Sequence, residues 1–290
     1  MQRILFGDNQ FFGVNHLSEE KARSTTVRFQ SIDAIMSVLD AARDSGIDVF
    51  MCTTHDRVRD VIDRVKSESS NYSSLVFYPS MPYAHKYANA VTEHGMLGAL
   101  AHLLPRGSRW SVLSSSGMAI LRKDIEGVFR ALIDVEMTMF SGVRTPVIFL
   151  QNVVTDLLLG LGMSELLGVF LDHVSSKYKA EAGFITMNLP LAIRSLQDQH
   201  ISNPIICTSF NKIGFRMAPD RASYEEIIGS SSARVVAMQV LAAGALRPSE
   251  ALEYVCRFPQ IESILFGASS QNHIVDFVRN VESWDKICGK

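Results

Sequence analysis

His55, Asp56 and Arg57 are consecutive and follow directly on a strand-like run, Ile47-Asp-Val-Phe-Met-Cys-Thr53. An imidazole titrates near neutral pH, and a carboxylate or guanidinium beside it tunes that titration, so this triplet suits general acid-base catalysis. The plain alternative is a histidine on a surface loop. Tyr78, Tyr83, His85 and Lys86 form a second cluster, in Tyr-Pro-Ser-Met-Pro-Tyr-Ala-His-Lys, where two prolines stiffen the chain as the wall of a site requires. In Phe6-Gly-Asp-Asn-Gln-Phe-Phe-Gly-Val-Asn-His-Leu-Ser18, the polar Asp8, Asn9, Asn15 and His16 are interleaved with Phe11, Phe12 and Val14. Polar groups there can converge over an aromatic floor; otherwise the segment is a hairpin that plugs the fold. Asn211 and Lys212 open a run that ends in Arg216. Its lysine suits a Schiff base or an anion, although a loop lysine is more often simply solvated.

The elements that must position these groups are legible as alternation. Short β-branched or aromatic runs alternate with longer amphipathic stretches, the pattern of βα units around a parallel sheet. Ser31 to Gly46 is the clearest helix: Ile32, Ile35, Met36, Leu39 and Ala42 share a face, Ser31 suits the N-cap and Gly46 the stop. Further helices are expected from about Lys86 to Leu104 and from about Asp124 to Phe140. The strands expected are Ile4–Gly7, Ile47–Thr53, Leu75–Tyr78, Trp110–Leu113, Val147–Leu150, Gly183–Met187, Pro204–Thr208, Arg234–Val240 and Ser263–Phe266. They number one more than the eight places of a closed (β/α)8 TIM barrel, and Trp110–Leu113 is the weakest. With no linker or low-complexity tract to divide it, the chain reads as a single α/β-barrel domain over residues 1–290.

In such a barrel the chemistry sits where strands end. Beyond the clusters above, that rule adds Thr54, Gln151, Asn152, Asn188, Gln239, Gly267, Ser269 and Ser270. So many uncharged hydrogen-bonding groups at one rim suit a polar or conjugated small molecule, though single Asn and Ser residues also cap helices.

A net charge of −2 provides no field for phosphate backbones or anionic lipid, so neither nucleic acid nor a membrane surface is an expected partner. Cys52, Cys207, Cys256 and Cys288 form no C-x-x-C pair, which speaks against a disulfide framework or structural zinc and for a reducing cytoplasm. No secretory leader is visible, and the apolar run from Val153 to Leu171 is too often interrupted to span a bilayer. No metal site is expected: Asp8, His16, His55 and Asp56 lack any ligand spacing. Neither a nucleophile elbow nor a Walker loop occurs. Leu161, Met163, Leu166 and Leu167 could form a homo-oligomer face or pack on the chain's own barrel.

Three stretches resemble the aldo/keto reductases. Gly229-Ser-Ser-Ser-Ala-Arg through Ala251-Leu, followed by Ile264-Leu-Phe-Gly-Ala-Ser-Ser-Gln-Asn-His-Ile274, is similar to the last two strands of that family. Ala42-Arg-Asp-Ser-Gly-Ile-Asp-Val-Phe50 is similar to its entry into the second strand. The resemblance implies the reductase barrel but departs at the active site. Where the family has F-D-T-A-x-x-Y-G, this chain has Phe50 followed by Met51, Cys52, Thr53, Thr54, His55 and Asp56. Met51 thus stands for the aspartate and Asp56 for the tyrosine. No lysine precedes Lys86 at the third strand, and Gln151 takes the histidine's place. The phosphate-binding loop is matched at Gly267, Ser269 and Ser270, which keeps NADP(H) possible although no cofactor is favoured.

The expectation is therefore an enzyme of small-molecule metabolism using cofactor-independent acid-base chemistry of lyase, isomerase or cyclase type. His55, Asp56, Tyr78 and Lys212 are its candidate catalytic residues, and Asn9, Gln151, Asn152 and Asn211 would orient the substrate. The rivals are an NADPH-dependent carbonyl reductase with its proton donor moved to Tyr78 or His55, and a barrel that binds a metabolite without changing it.

Overall fold

A computed structural model of the chain describes residues 1–12, 27–83 and 117–289, with residues 117–124 given by backbone course alone. Eight parallel strands close a barrel in sequence order: β1 Ile4–Gly7, β2 Val49–Thr53, β3 Val76–Met81, β4 Val147–Leu150, β5 Glu181–Thr186, β6 Ile205–Ser209, β7 Arg234–Met238 and β8 Ile261–Phe266. The expected ninth strand at Trp110–Leu113 and the expected helix from Lys86 to Leu104 lie outside the described residues, as do Asn15, His16, His85 and Lys86.

The helices that bear on the site are α1 Ile32–Asp44, α2 Asp56–Ser67, α3 Gly117–Met137, α4 Asn152–Gly160, α5 Glu165–His173, α6 Leu189–Asp198, α7 Arg221–Ser230, α8 Pro248–Cys256 and α9 Gln271–Cys288. Helix α1 is bounded as its sequence requires. The Ser31 hydroxyl accepts from Asp33 N–H at 3.2 Å, and Gly46 follows the helix with φ +83°, a conformation costly for any residue with a Cβ.

Strand alternation sorts side chains into two cores. Leu5, Val49, Met51, Tyr78, Val147, Phe149, Ile185, Ile205, Cys207 and Val236 face inward and fill the barrel. Their strand neighbours, among them Phe6, Phe50, Phe77, Ile148, Phe184 and Ile206, face outward beneath the helices. At Gly183 a Cβ would stand 2.4 Å from the Phe149 ring, so the glycine makes room for that ring in the barrel's centre.

Strand β3 runs three residues past the expected Tyr78, through Pro79 to Met81. Proline has no N–H for a ladder, but β3 pairs with β4 only from Ser80 onward, so the missing donor falls outside that pairing. Of the helix face considered for self-association, Leu166 and Leu167 are buried in the outer core and Leu161 is 52% exposed. Most of that face thus packs on its own barrel.

Candidate functional site

The C-terminal rim is built around a buried carboxyl. Asp8, one residue past β1, is 5% exposed, and its Oδ2 accepts from both the backbone N–H and the hydroxyl of Thr53, each at 2.7 Å. Those bonds tie the end of β1 to the end of β2. Burial pushes the Asp8 carboxyl up to about 6, with the Thr53 bonds pulling the other way. A carboxyl poised there exchanges a proton near neutral pH.

Beside it stands an aromatic stack. His55 is the N-cap of α2: its Nδ1 accepts from Arg57 N–H at 3.1 Å. A ring nitrogen that accepts carries no proton, so Nδ1 is committed to the cap. The ring lies flat on Phe12, centroids 4.1 Å apart, and the Tyr83 ring meets its edge at 5.6 Å. Burial, and then the Asp8 charge, raise the Tyr83 phenol, which keeps its proton.

Glu136 on α3 holds this arrangement from behind. It is 4% exposed; its Oε2 accepts a short hydrogen bond from the Thr54 hydroxyl and a longer one, at 3.5 Å, from Tyr83 N–H. One carboxylate thus fixes the loop on each side of His55. Sequence reasoning missed it, because a glutamate on an amphipathic helix reads as solvated. Gln10 was missed too: its amide donates to Gly7 O at 2.6 Å and lies against Gly267, where a Cβ would stand 2.3 Å from its Oε1.

Several expected positions are corrected. The His55-Asp56-Arg57 triplet does not act as one group: Asp56 is exposed in the first turn of α2, and Arg57 reaches away to Gln30 O. Tyr78 is not at the rim. It lies inside the barrel against Phe149, and the charges acting on it, Glu181, Glu262 and Arg234, belong to strand starts at the opposite end. A relocated proton donor at Tyr78 is therefore ruled out by position, since β3 continues beyond it. Lys212 is exposed and paired with Glu250 at 2.6 Å. Asn211 is fully buried and uses both ends of its amide on Phe215, at 2.8 and 2.9 Å, to fold the loop after β6. That loop presents Arg216, exposed and at φ +55°, over the Phe215 ring.

Other expected groups serve the ends of helices. Asn188 caps α6 by accepting from Leu191 N–H at 3.2 Å, and Gln151 and Asn152 begin α4, half-buried at the rim. Asn9 is exposed in the short turn after β1. Gln239, just past β7, is half-buried and accepts from the Ser209 hydroxyl at 2.6 Å. Ser269 and Ser270 precede α9, where Ser270 is the N-cap but gives no side-chain cap. Among the described residues no three histidine, cysteine, aspartate or glutamate side chains converge as a metal group, and no helix is long and apolar enough to cross a membrane.

No family model matches the sequence, and no curated protein is similar to it. Solved structures are similar to the fold. A Pseudomonas aeruginosa protein assigned to the aldo-keto reductases superposes with a TM-score of 0.60 at 13% identity, over 98% of this chain and 90% of that one. The glycerol dehydrogenase of Gluconobacter oxydans gives 0.53 at 11%, over 100% and 90%. An aldo/keto reductase from Brucella melitensis gives 0.51 at 7%, over 89% and 91%. The chain is thus a closed α/β barrel whose fold is similar to that of solved aldo-keto reductases. At such identities the likeness is one of fold.

Proposed function

We propose that this chain is an enzyme of small-molecule metabolism that moves a proton at the end of β1 and β2. The observation that carries this reading is the Asp8 carboxyl, buried, held by Thr53 and raised into the neutral range beside Tyr83 and His55. A carboxyl so placed takes a proton from a carbon or hydroxyl acid and returns it, while the Tyr83 phenol, which keeps its proton, donates a hydrogen bond. The chemistry this supports is of lyase, isomerase or cyclase type on a polar metabolite, with Asp8 in the part first expected of Asp56. Glu136 is a positioning residue.

A second reading is favoured by the reductase names of the structural neighbours and by the start of α9. Main-chain N–H groups after Ser270 suit a phosphate, although residues 267–273 contain no lysine or arginine and Gln10 already covers Gly267. Gly267, Ser269 and Ser270 would hold that phosphate. NADPH supplies a hydride when bound; the chain's own part is the Tyr83 phenol, kept protonated, which gives its proton to the carbonyl oxygen.

The test is a titration of the purified protein with NADPH, NADP and NADH, followed by tryptophan fluorescence and thermal midpoint, beside a metabolite screen for turnover. No response to nucleotide, with turnover that falls at least about hundredfold in Asp8→Asn, supports the acid-base enzyme. Stabilisation by NADPH with Tyr83-dependent carbonyl reduction moves the assignment to the reductase. A metabolite bound tightly and recovered unchanged marks a binding barrel instead.

A further inference from the structure

Two strands along the rim from Asp8, Gln239 holds an amide that the fold has aimed and then left half used. Its backbone has φ +55°, a conformation costly for a non-glycine residue and retained where the surroundings impose it. Its Oε1 is taken by the fully buried Ser209 hydroxyl at 2.6 Å, which fixes the plane of the amide. Ser209 Oγ also lies 3.4 Å from Met187 Sδ, a packing contact, since its single proton goes to Gln239. With Oε1 committed, the Nε2 amino group remains, and it makes no hydrogen bond to the described residues. A half-buried amide with its oxygen satisfied and its two N–H donors open is a receptor for an oxygen acceptor.

The topology places that receptor within a small molecule's reach of the proton-transfer group. β7 pairs with β8 and β8 with β1, so the ends of β1 and β7 are two strand spacings apart, about 10 Å. Between them, at the end of β8, Gly267 packs against the Gln10 side chain.

From this juxtaposition we infer that Gln239 binds the carbonyl or carboxylate oxygen of the substrate, and that the substrate class is a short oxo compound with hydrogens beside its carbonyl. The inference rests on the acid-base reading of Asp8. Abstraction of an α-hydrogen as a proton leaves the electron pair on carbon, from which it delocalises to oxygen; the enolate oxygen then gains from the Gln239 N–H donors, and reprotonation at carbon restores the count. No oxidant or reductant enters.

The experiment uses the full chain with pyruvate, oxaloacetate, dihydroxyacetone and the enolate mimic oxalate as probes, and glycerol as a carbonyl-free control. The Gln239 side-chain amide is followed by 15N NMR, and α-hydrogen exchange of the bound probe is followed in D2O. The expected result is a saturable shift of the Gln239 amide with at least one oxo probe or oxalate and none with glycerol. In Gln239→Leu the affinity for that probe falls about tenfold or more. Ser209→Ala, which frees the amide to turn, gives a smaller loss while the fold is intact by circular dichroism. Equal affinity in Gln239→Leu, or no shift with any probe, overturns the inference. The two readings separate in Asp8→Asn: loss of exchange with the amide shift retained upholds both. An amide shift in the parent chain without any α-hydrogen exchange upholds Gln239 and sinks the proton-transfer role of Asp8. Asp8-dependent exchange without the shift does the reverse.

Discussion

The two ends of the barrel handle charge in opposite ways. At the N-terminal end, Arg234 opens β7 and lies between Glu262, at 2.9 Å, and Glu181, at 2.5 Å, while the Met1 ammonium also binds Glu262. The guanidinium holds the Glu262 carboxyl below the ordinary range, and Glu181 and Glu262 in turn raise Arg234. At the C-terminal end, no lysine or arginine among the described residues pairs with Asp8, which has hydroxyl and amide donors only. Its carboxyl is accordingly raised, not lowered. Paired charges are settled in one protonation state and serve stability, whereas a buried carboxyl without a cation stays close to its proton, which chemistry requires.

The sharpest way to break this comparison is the pH dependence of stability. A carboxyl at about 6 in the folded chain and about 3.9 in the unfolded one binds more proton when folded. Its contribution is therefore most favourable below about pH 4 and is lost as the pH rises through 6. The penalty above that window is about 3 kcal/mol, at about 1.4 kcal/mol for each of roughly two pH units. Asp8→Asn keeps an acceptor for Thr53 and removes the titration. The variant should gain about 3 kcal/mol on the parent chain between pH 3 and pH 7 in urea unfolding. Parallel profiles would show that Asp8 is solvated and end its claim to a neutral-range proton.

The opposite end should respond with the opposite sign. Arg234→Ala leaves Glu262 and Glu181 close together without their shared cation. With Arg234 31% exposed, water screens part of that, and the expected loss is about 2–3 kcal/mol at pH 7. The loss should shrink as the pH falls and the two glutamates take up protons. A loss that is the same at pH 4 and pH 7 would place the effect in packing of the arginine stem.

The sequence made the barrel legible where local chemistry and periodicity agreed, as in Ser31 to Gly46 and in Val147–Leu150, whose bounds the structure repeats. It misled at β3, expected to end at Tyr78, which the structure continues through Pro79 to Met81. That overrun turned Tyr78 from a rim residue into a core residue. At the site, the rule that strand ends carry chemistry pointed to Asp8, His55 and Gln239, and the proline-stiffened loop pointed to Tyr83. It could not say which neighbours in sequence would be neighbours in space. Asp56 follows His55 in the chain, but the carboxyl raised by burial comes from β1, 47 residues earlier by numbering. Glu136 was beyond reach because its burial depends on how α3 settles against the loops after β2 and β3, which no local pattern encodes.

The smallest expected effect tests the same distinction from the other side. Lys212 was singled out for its type, since a loop lysine at a strand end can form a Schiff base. In the fold its side chain is 46% exposed and its ammonium is bound to Glu250, so it stands as a solvated ion-pair partner. A nucleophilic lysine needs the reverse, burial or a neighbouring cation that drives the proton off. Lys212→Ala should therefore leave turnover, its pH profile and the thermal midpoint unchanged, apart from the slight gain in Glu250 basicity that follows loss of its partner. Borohydride trapping of a carbonyl substrate on the parent chain, absent in Lys212→Ala, would contradict this. It would move the reactive group from the β1–β2 side of the mouth to the loop after β6.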